Sequence, residues 1–178
     1  MRVLAVLLAL VSGCASSASG PRREYFTLRT GQGAQQMALA KSGEIIGPTL
    51  QLSPTDTGYR GMADSQMVDL RSDGERILGT IHDKMIDLHI RVLDDGLVAR
   101  GIFGGKLGRL DASNFEIKST LGVCSYELEA VGNRYEGQRA CGRTLIPMVR
   151  PAAIELPPGF ERLKVDRQVM LLAILLSL

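Results

Sequence analysis

Two histidines, His82 and His89, are the only imidazoles in this 178-residue chain. Asp83 follows His82 directly, and Ser65, Ser72 and Ser113 supply hydroxyls elsewhere. A His–Asp pair with a serine is the raw material of a hydrolase, the imidazole taking the serine proton while the carboxylate orients the ring. The surrounding residues do not support that chemistry. No G-x-S-x-G elbow, S-x-x-K or H-E-x-x-H stretch occurs. The two histidines stand seven positions apart, which puts them on opposite faces of any one strand that holds both. A break after His82 removes that objection without assembling a site. His89 alternates with Asp87 and Arg91 on a polar face, so both histidines read as solvated surface residues.

Two carboxylates, Asp69 and Asp87, recur in matching settings, "MVDL" and "MIDL". A glycosidase needs two acids facing each other across a cleft. Here each acid alternates with apolar neighbours, which marks an outward strand position instead. The run from Gly101 to Gly108, "GIFGGKLG", loosely resembles a phosphate cradle but lacks the Walker spacing and the strand-to-helix setting. A glycine-rich hairpin is the simpler reading. No metal or cofactor site is expected, and the protein is expected not to be an enzyme.

Three cysteines remain, Cys14, Cys124 and Cys141. Zinc needs further Cys or His at ligand spacing, and a thioredoxin-like pair needs C-x-x-C; neither is present. With Gly132-Asn133 as a two-residue hairpin turn, Val131 faces Arg134, Leu128 faces Gly137, Tyr126 faces Arg139 and Cys124 faces Cys141. Counting outward from the turn makes the cysteines a non-hydrogen-bonded pair, with Cα atoms about 4.5 Å apart, within disulfide range. The same register puts Cys124, Tyr126, Leu128 and Ala130 on one face and Ser125, Glu127 and Glu129 on the other. Glu129 opposite Glu136 is the one like-charge pair that counts against it. A cross-strand disulfide is expected, with free buried thiols as the alternative. A bridge of this loop length is worth about 3 kcal/mol in the chain-entropy account, and it persists only in an oxidising compartment.

The chain begins "MRVLAVLLALVSGCASSASG": one positive residue, nine apolar residues from Val3 to Val11, then small residues. That pattern is a secretory signal, too short to span a bilayer. Its end, Leu10-Val11-Ser12-Gly13-Cys14, resembles the lipobox of bacterial lipoproteins. The resemblance implies cleavage before Cys14, a diacylglyceryl group on its sulfur and acylation of its new amino terminus. Cleavage within "CASSASG" instead would discard Cys14. Lipidation of Cys14 leaves an even pair to oxidise, and several acyl chains hold where one would not. In such lipoproteins an Asp after the cysteine favours the inner membrane. Ala15 stands there, so the resemblance implies the outer membrane.

Loss of residues 1–13 leaves 165 residues and lowers the net charge from +2 to +1. That balance, with no dense Lys/Arg run, gives no reason to bind nucleic acid. Trp is absent and only 4% of residues are aromatic, which disfavours stacking on sugars or bases. From about Tyr25 onward the chain reads as short strands between turn signals. Hairpin tips at Asp73-Gly74 and Asp95-Gly96 align Val68 and Leu70 with Ile77, Gly79 and Ile81, and Ile86, Leu88, Ile90 and Val92 with Ala99, Gly101, Phe103 and Gly105. Further strands are expected at 25–30, 35–40, 49–53, 58–63, 107–111 and 115–121. The fold class is therefore mainly β, an antiparallel meander of about ten strands closing into a small barrel or a sandwich, with one C-terminal helix.

The tail changes character. Pro157-Pro158 can open a helix, and Val169 to Leu178 is apolar except for Ser177. Ten residues reach only about 15 Å as a helix, half a bilayer core. Val169, Met170, Leu172, Ile174 and Leu175 thus form either a surface docked on the β body or an exposed plug for a partner or for the membrane surface to which Cys14 would tether the protein. The expected organisation is a signal at 1–13, a lipidated tether at 14–23, a β domain at 24–150 and a Pro-rich connection with helix at 151–178. The function expected from this is a lipid-anchored protein at the periplasmic face of the outer membrane. Its role is non-enzymatic binding or scaffolding, with a lipocalin-like carrier of an apolar ligand as the alternative.

Overall fold

The computed structural model describes residues 23–30, 33–142, 147–157 and 159–178. The signal, Cys14, most of the tether and Pro158 lie outside the described residues. Period-two alternation of apolar and polar residues runs through most of the chain, and every such stretch forms a strand. The strands are β1 (Arg23–Thr30), β2 (Gly33–Ala40), β3 (Ile45–Ile46), β4 (Leu50–Pro54), β5 (Gly58–Ala63), β6 (Gln66–Ser72) and β7 (Arg76–Ile81). They continue as β8 (Lys84–Leu93), β9 (Gly96–Phe103), β10 (Lys106–Ser113), β11 (Glu116–Leu121), β12 (Cys124–Val131), β13 (Arg134–Cys141) and β14 (Met148–Glu155). A short 3-10 turn, Phe160–Arg162, precedes the helix α1 (Val165–Leu175). Each strand pairs antiparallel with the next, and β14 returns to β1, closing a barrel.

The barrel has fourteen strands where about ten were expected. Two strands account for much of the gap. Ile45–Ile46 is too short for any alternation to register. In Met148–Glu155, Pro151 and two alanines dilute the strand signal. Around Pro151 the strand pairs with β13, while its register with β1 covers only Ala153 and Ile154, so the missing N–H interrupts no ladder there. The expected boundary at residue 150 therefore cuts β14 in two, and Arg23, placed in the tether, is the first residue of β1.

The hairpin of the two cysteines has the expected register, from Val131↔Arg134 out to Cys124↔Cys141. The other two tips sit one residue away from expectation. Asp73 faces Arg76 across Gly74-Glu75, because the Asp73 carboxylate accepts the N–H groups of Glu75 and Arg76 at 3.1 and 2.9 Å. Leu93 pairs with Gly96 across Asp94-Asp95. Gly96 is needed in the ladder rather than in the turn, since an added Cβ would strike the Ala112 carbonyl on β10. Both corrections move the pairing by two positions, so every side chain keeps its face.

The inward faces supply one continuous core, including Phe26, Leu52, Tyr59, Leu70, Leu88, Ile117 and Leu128. Side chains alone fill a barrel of about eight strands, and larger closures leave an open lumen. Here α1 fills it. Val169 through Leu175 are all 0–1% exposed, so from Val169 onward the helix is apolar all round and lies within the core. Val169, Met170, Leu172, Ile174 and Leu175 accordingly dock inside the β body, and none is presented to an outside partner. Among the described residues no helix is long and apolar enough to cross a membrane.

Candidate functional site

The serines and histidines are held by turns, not assembled around a reaction. His82-Asp83 forms the tip between β7 and β8, with φ of 52° and 58°, and Asp64-Ser65 forms the tip between β5 and β6 at 47° and 63°. Such left-handed pairs match the twist of two-residue hairpins. His82 is partly buried, which lowers its pKa; the charge of Asp64 and a bond with the Ala63 backbone oppose that shift. Its Nε2 finds no hydrogen-bond partner among the described residues. Ser65 lies one tip away but makes no hydrogen bond to it, and Ser72 and Ser113 lie at the other end of the barrel. His89 stands on the outer face, opposite Arg100. No nucleophile–base contact links any of these groups.

Asp69 and Asp87 also face outward, on strands separated by β7. Asp69 accepts from Arg60 at 2.8 Å. Asp87 takes a two-pronged bond from Arg76 at 2.7 and 2.6 Å, and this bond holds its pKa below the ordinary carboxylate value. Each acid is matched to its own arginine, and the two do not face each other across a cleft. In the glycine run, Gly104-Gly105 is the tip between β9 and β10, with φ of 61° and 77°: a hairpin, not a phosphate loop. Among the described residues no group of three or more Asp, Glu, His or Cys gathers as metal ligands.

Two arginines and a glutamine hold α1 in the lumen. Call the end where β1 begins proximal and the other distal. Near the proximal end Arg167 donates to the carbonyls of Gly58 and Thr55, both at 2.5 Å, and of Asp56 at 3.2 Å, with its guanidinium 5.1 Å from the Tyr59 ring centre. Gln168 donates to the Leu163 and Phe160 carbonyls at 3.0 and 3.2 Å, tying the helix to the turn before it. At the distal end Arg139 points inward from β13. It donates to Cys141 Sγ at 2.8 Å and to the Leu178 oxygen at 3.3 Å, and lies 5.6 Å from the Tyr126 ring centre. The cysteine hairpin placed Arg139 opposite Tyr126 from the sequence alone. That it meets the helix end was not readable there.

Cys124 and Cys141 form the disulfide, with Cα atoms 4.1 Å apart. The bridge closes the hairpin beside the distal mouth, where Arg139 links it to the end of α1. Beneath the arginine, Tyr126 is buried, its hydroxyl without a hydrogen-bond partner among the described residues. Burial pushes its pKa up to about 12, against the opposing pull of Arg139.

One concavity lies outside the barrel. A groove of about 640 Å³ crosses β8 to β11, lined by His89, Arg91, Arg100, Arg109, Asp111 and Lys118 among others. His89, Arg100 and Arg109 are direct cross-strand neighbours. Arg109 pairs with Asp111, and Lys118 with Glu116 at 2.5 Å. With Asp95 also on its wall, four cations face three acids, so the groove has no strong preference for anions. A smaller hollow of about 210 Å³ opens at the proximal mouth between Leu97, Ile117, Tyr135, Phe160 and Leu172.

The chain matches no protein-family model, no curated protein and no solved structure.

Proposed function

We propose that this is a lipid-anchored envelope protein. Cys14 is its first mature residue and carries the acyl chains; the barrel stands on the periplasmic face of the outer membrane and has a non-enzymatic binding or structural role there. The observation that carries the reading is the Cys124–Cys141 disulfide. Such a bond persists in an oxidising compartment, and it leaves the third cysteine, in its lipobox-like setting, as the odd one out.

A lipocalin-like carrier would share the closed antiparallel meander, which by itself does not separate the two readings. The helix in the lumen favours the first, because an apolar ligand would have to displace seven residues packed at 0–1% exposure. Among the described residues no serine is hydrogen-bonded to a histidine, the linkage a serine hydrolase uses, so no observation favours that reading.

The test is intact mass and membrane fractionation of the protein from cells, beside a Cys14→Ser variant, with non-reducing peptide mapping. The expected result is acylated protein in the outer-membrane fraction, a soluble Cys14→Ser variant, and one cross-link joining Cys124 to Cys141. Unprocessed cytosolic protein with three reactive thiols would refute the proposal. A lipid-sized, non-covalent adduct in native mass spectrometry would favour the carrier.

A further inference from the structure

The proximal end has two unlike halves. On one side the hairpin tips are polar: Thr55–Thr57 between β4 and β5, and Asp73–Glu75 between β6 and β7. On the other, three successive tips each present a large apolar residue to solvent. Leu93 flanks the tip between β8 and β9 at 44% exposure. Phe115 is in the tip between β10 and β11 at 73%, and Val131 flanks the tip between β12 and β13 at 50%. Tyr25, also exposed, continues the arc on β1, past β14. The distal tips expose apolar residues too, Met67, Met85, Leu107 and Met148 among them, so exposure marks a candidate contact surface at either end and does not by itself choose this one.

What covers it follows from where the chain enters. β1 starts at this same end and on this same arc, beside β14. Cys14 stands nine positions before Arg23, a reach of about 30 Å at full extension. Resting on the anchor reading above, this tether enters at the proximal end and so brings that end nearer the bilayer than the distal one. Basic residues lie just behind the apolar tips. Arg91 is two positions from Leu93, Lys118 three from Phe115, and Arg134 is directly opposite Val131. At about 3.3 Å per residue Arg91 and Lys118 sit roughly 7–10 Å farther from the rim, the height of lipid phosphates when apolar side chains meet the acyl boundary, while Arg134 is level with Val131. Lys118 and Arg134 are paired with Glu116 and Glu136, and Asp94 and Asp95 sit at the first tip, so the contact is interfacial and its drive is apolar.

We infer that Leu93, Phe115 and Val131 form a second, non-covalent membrane contact, which seats the proximal end of the barrel on the phospholipid surface. The chain contains no Trp, so one introduced indole reports alone. Full-length protein purified from cells is placed in phosphatidylethanolamine/phosphatidylglycerol vesicles with bromine high on the acyl chains, as Phe115→Trp and, at the distal end, as Leu107→Trp. Leu107 is 82% exposed, so both substitutions fall outside the core. An indole held about 5–10 Å into the headgroup boundary meets the bromines, and its emission falls about twofold against unbrominated vesicles. The expected result is that fall for Phe115→Trp and none for Leu107→Trp. Quenching at Leu107→Trp instead, or at neither, in protein whose mass shows an acylated Cys14, overturns the contact and leaves the anchor standing. Protein that is neither acylated nor vesicle-bound overturns both.

Discussion

Arg167, in the first turn of α1, lies with its guanidinium 5.1 Å from the centre of the Tyr59 ring on β5. A cation in a first turn opposes the helix dipole. Here the carbonyls of Thr55 and Asp56 in the loop between β4 and β5, that of Gly58 at the start of β5 and one aromatic face outweigh that cost, and they fix how the helix enters the barrel.

Removing this clamp should loosen the plug without unfolding the barrel. Arg167→Ala is expected to lower stability in urea by about 2 kcal/mol, the scale of hydrogen bonds from a charged donor that water partly replaces. Arg167→Lys should recover less than half, because an ammonium cannot fork to Gly58 and Thr55 together. Unchanged unfolding midpoints for both variants would show that the helix is held by packing alone.

Tyr126 makes stability depend on alkaline pH. Its folded pKa, about 12, lies above the ordinary tyrosine value of 10 because the hydroxyl is buried. The folded state therefore keeps a proton that the unfolded chain releases. The stabilisation is complete below pH 10 and declines as pH rises toward 12, by roughly 2–3 kcal/mol in all. Burial raises Tyr59 in the same direction, with Arg167 opposing. Tyr126→Phe should flatten part of this decline. Since the hydroxyl has no partner among the described residues, the variant should be neutral or up to about 1 kcal/mol more stable at pH 7. A clear destabilisation at pH 7 would mean the hydroxyl is hydrogen-bonded after all.

The helix should count as core, not as appendage. Ile174→Ala is expected to cost about 2–5 kcal/mol, as for other fully buried aliphatics. Leu107→Ala, on the outer face, should stay within about 0.5 kcal/mol. Deleting residues 169–178 empties the lumen and should abolish the cooperative transition followed by circular dichroism. A truncated chain that still unfolds cooperatively would mean the barrel closes without its plug.

Much of the architecture was legible in the residues. The cysteine hairpin came out in register because Gly132 takes φ of 65° at the turn, and the pairing then follows by counting. The other two tips were each misplaced by one residue, since Asp73 caps its own turn and Gly96 serves the neighbouring strand. Their faces were right nonetheless, as a shift of two preserves which side points inward. β3 and β14 were missed for want of signal: one is two residues long, the other carries Pro151 and small side chains.

Local alternation and turn chemistry determine strands, faces and hairpin partners, because those interactions act over a few residues and repeat every second position. The sequence by itself therefore settled a β meander, an apolar C-terminal helix and the facing cysteines. Closure is a different kind of fact. That β14 returns to β1, that α1 lies inside, and that Arg167 and Arg139 hold its two ends depend on contacts between residues far apart in the chain. The same apolar helix could have capped the outside, and only the volume enclosed by fourteen strands, too large for their own side chains to fill, decided that it went within.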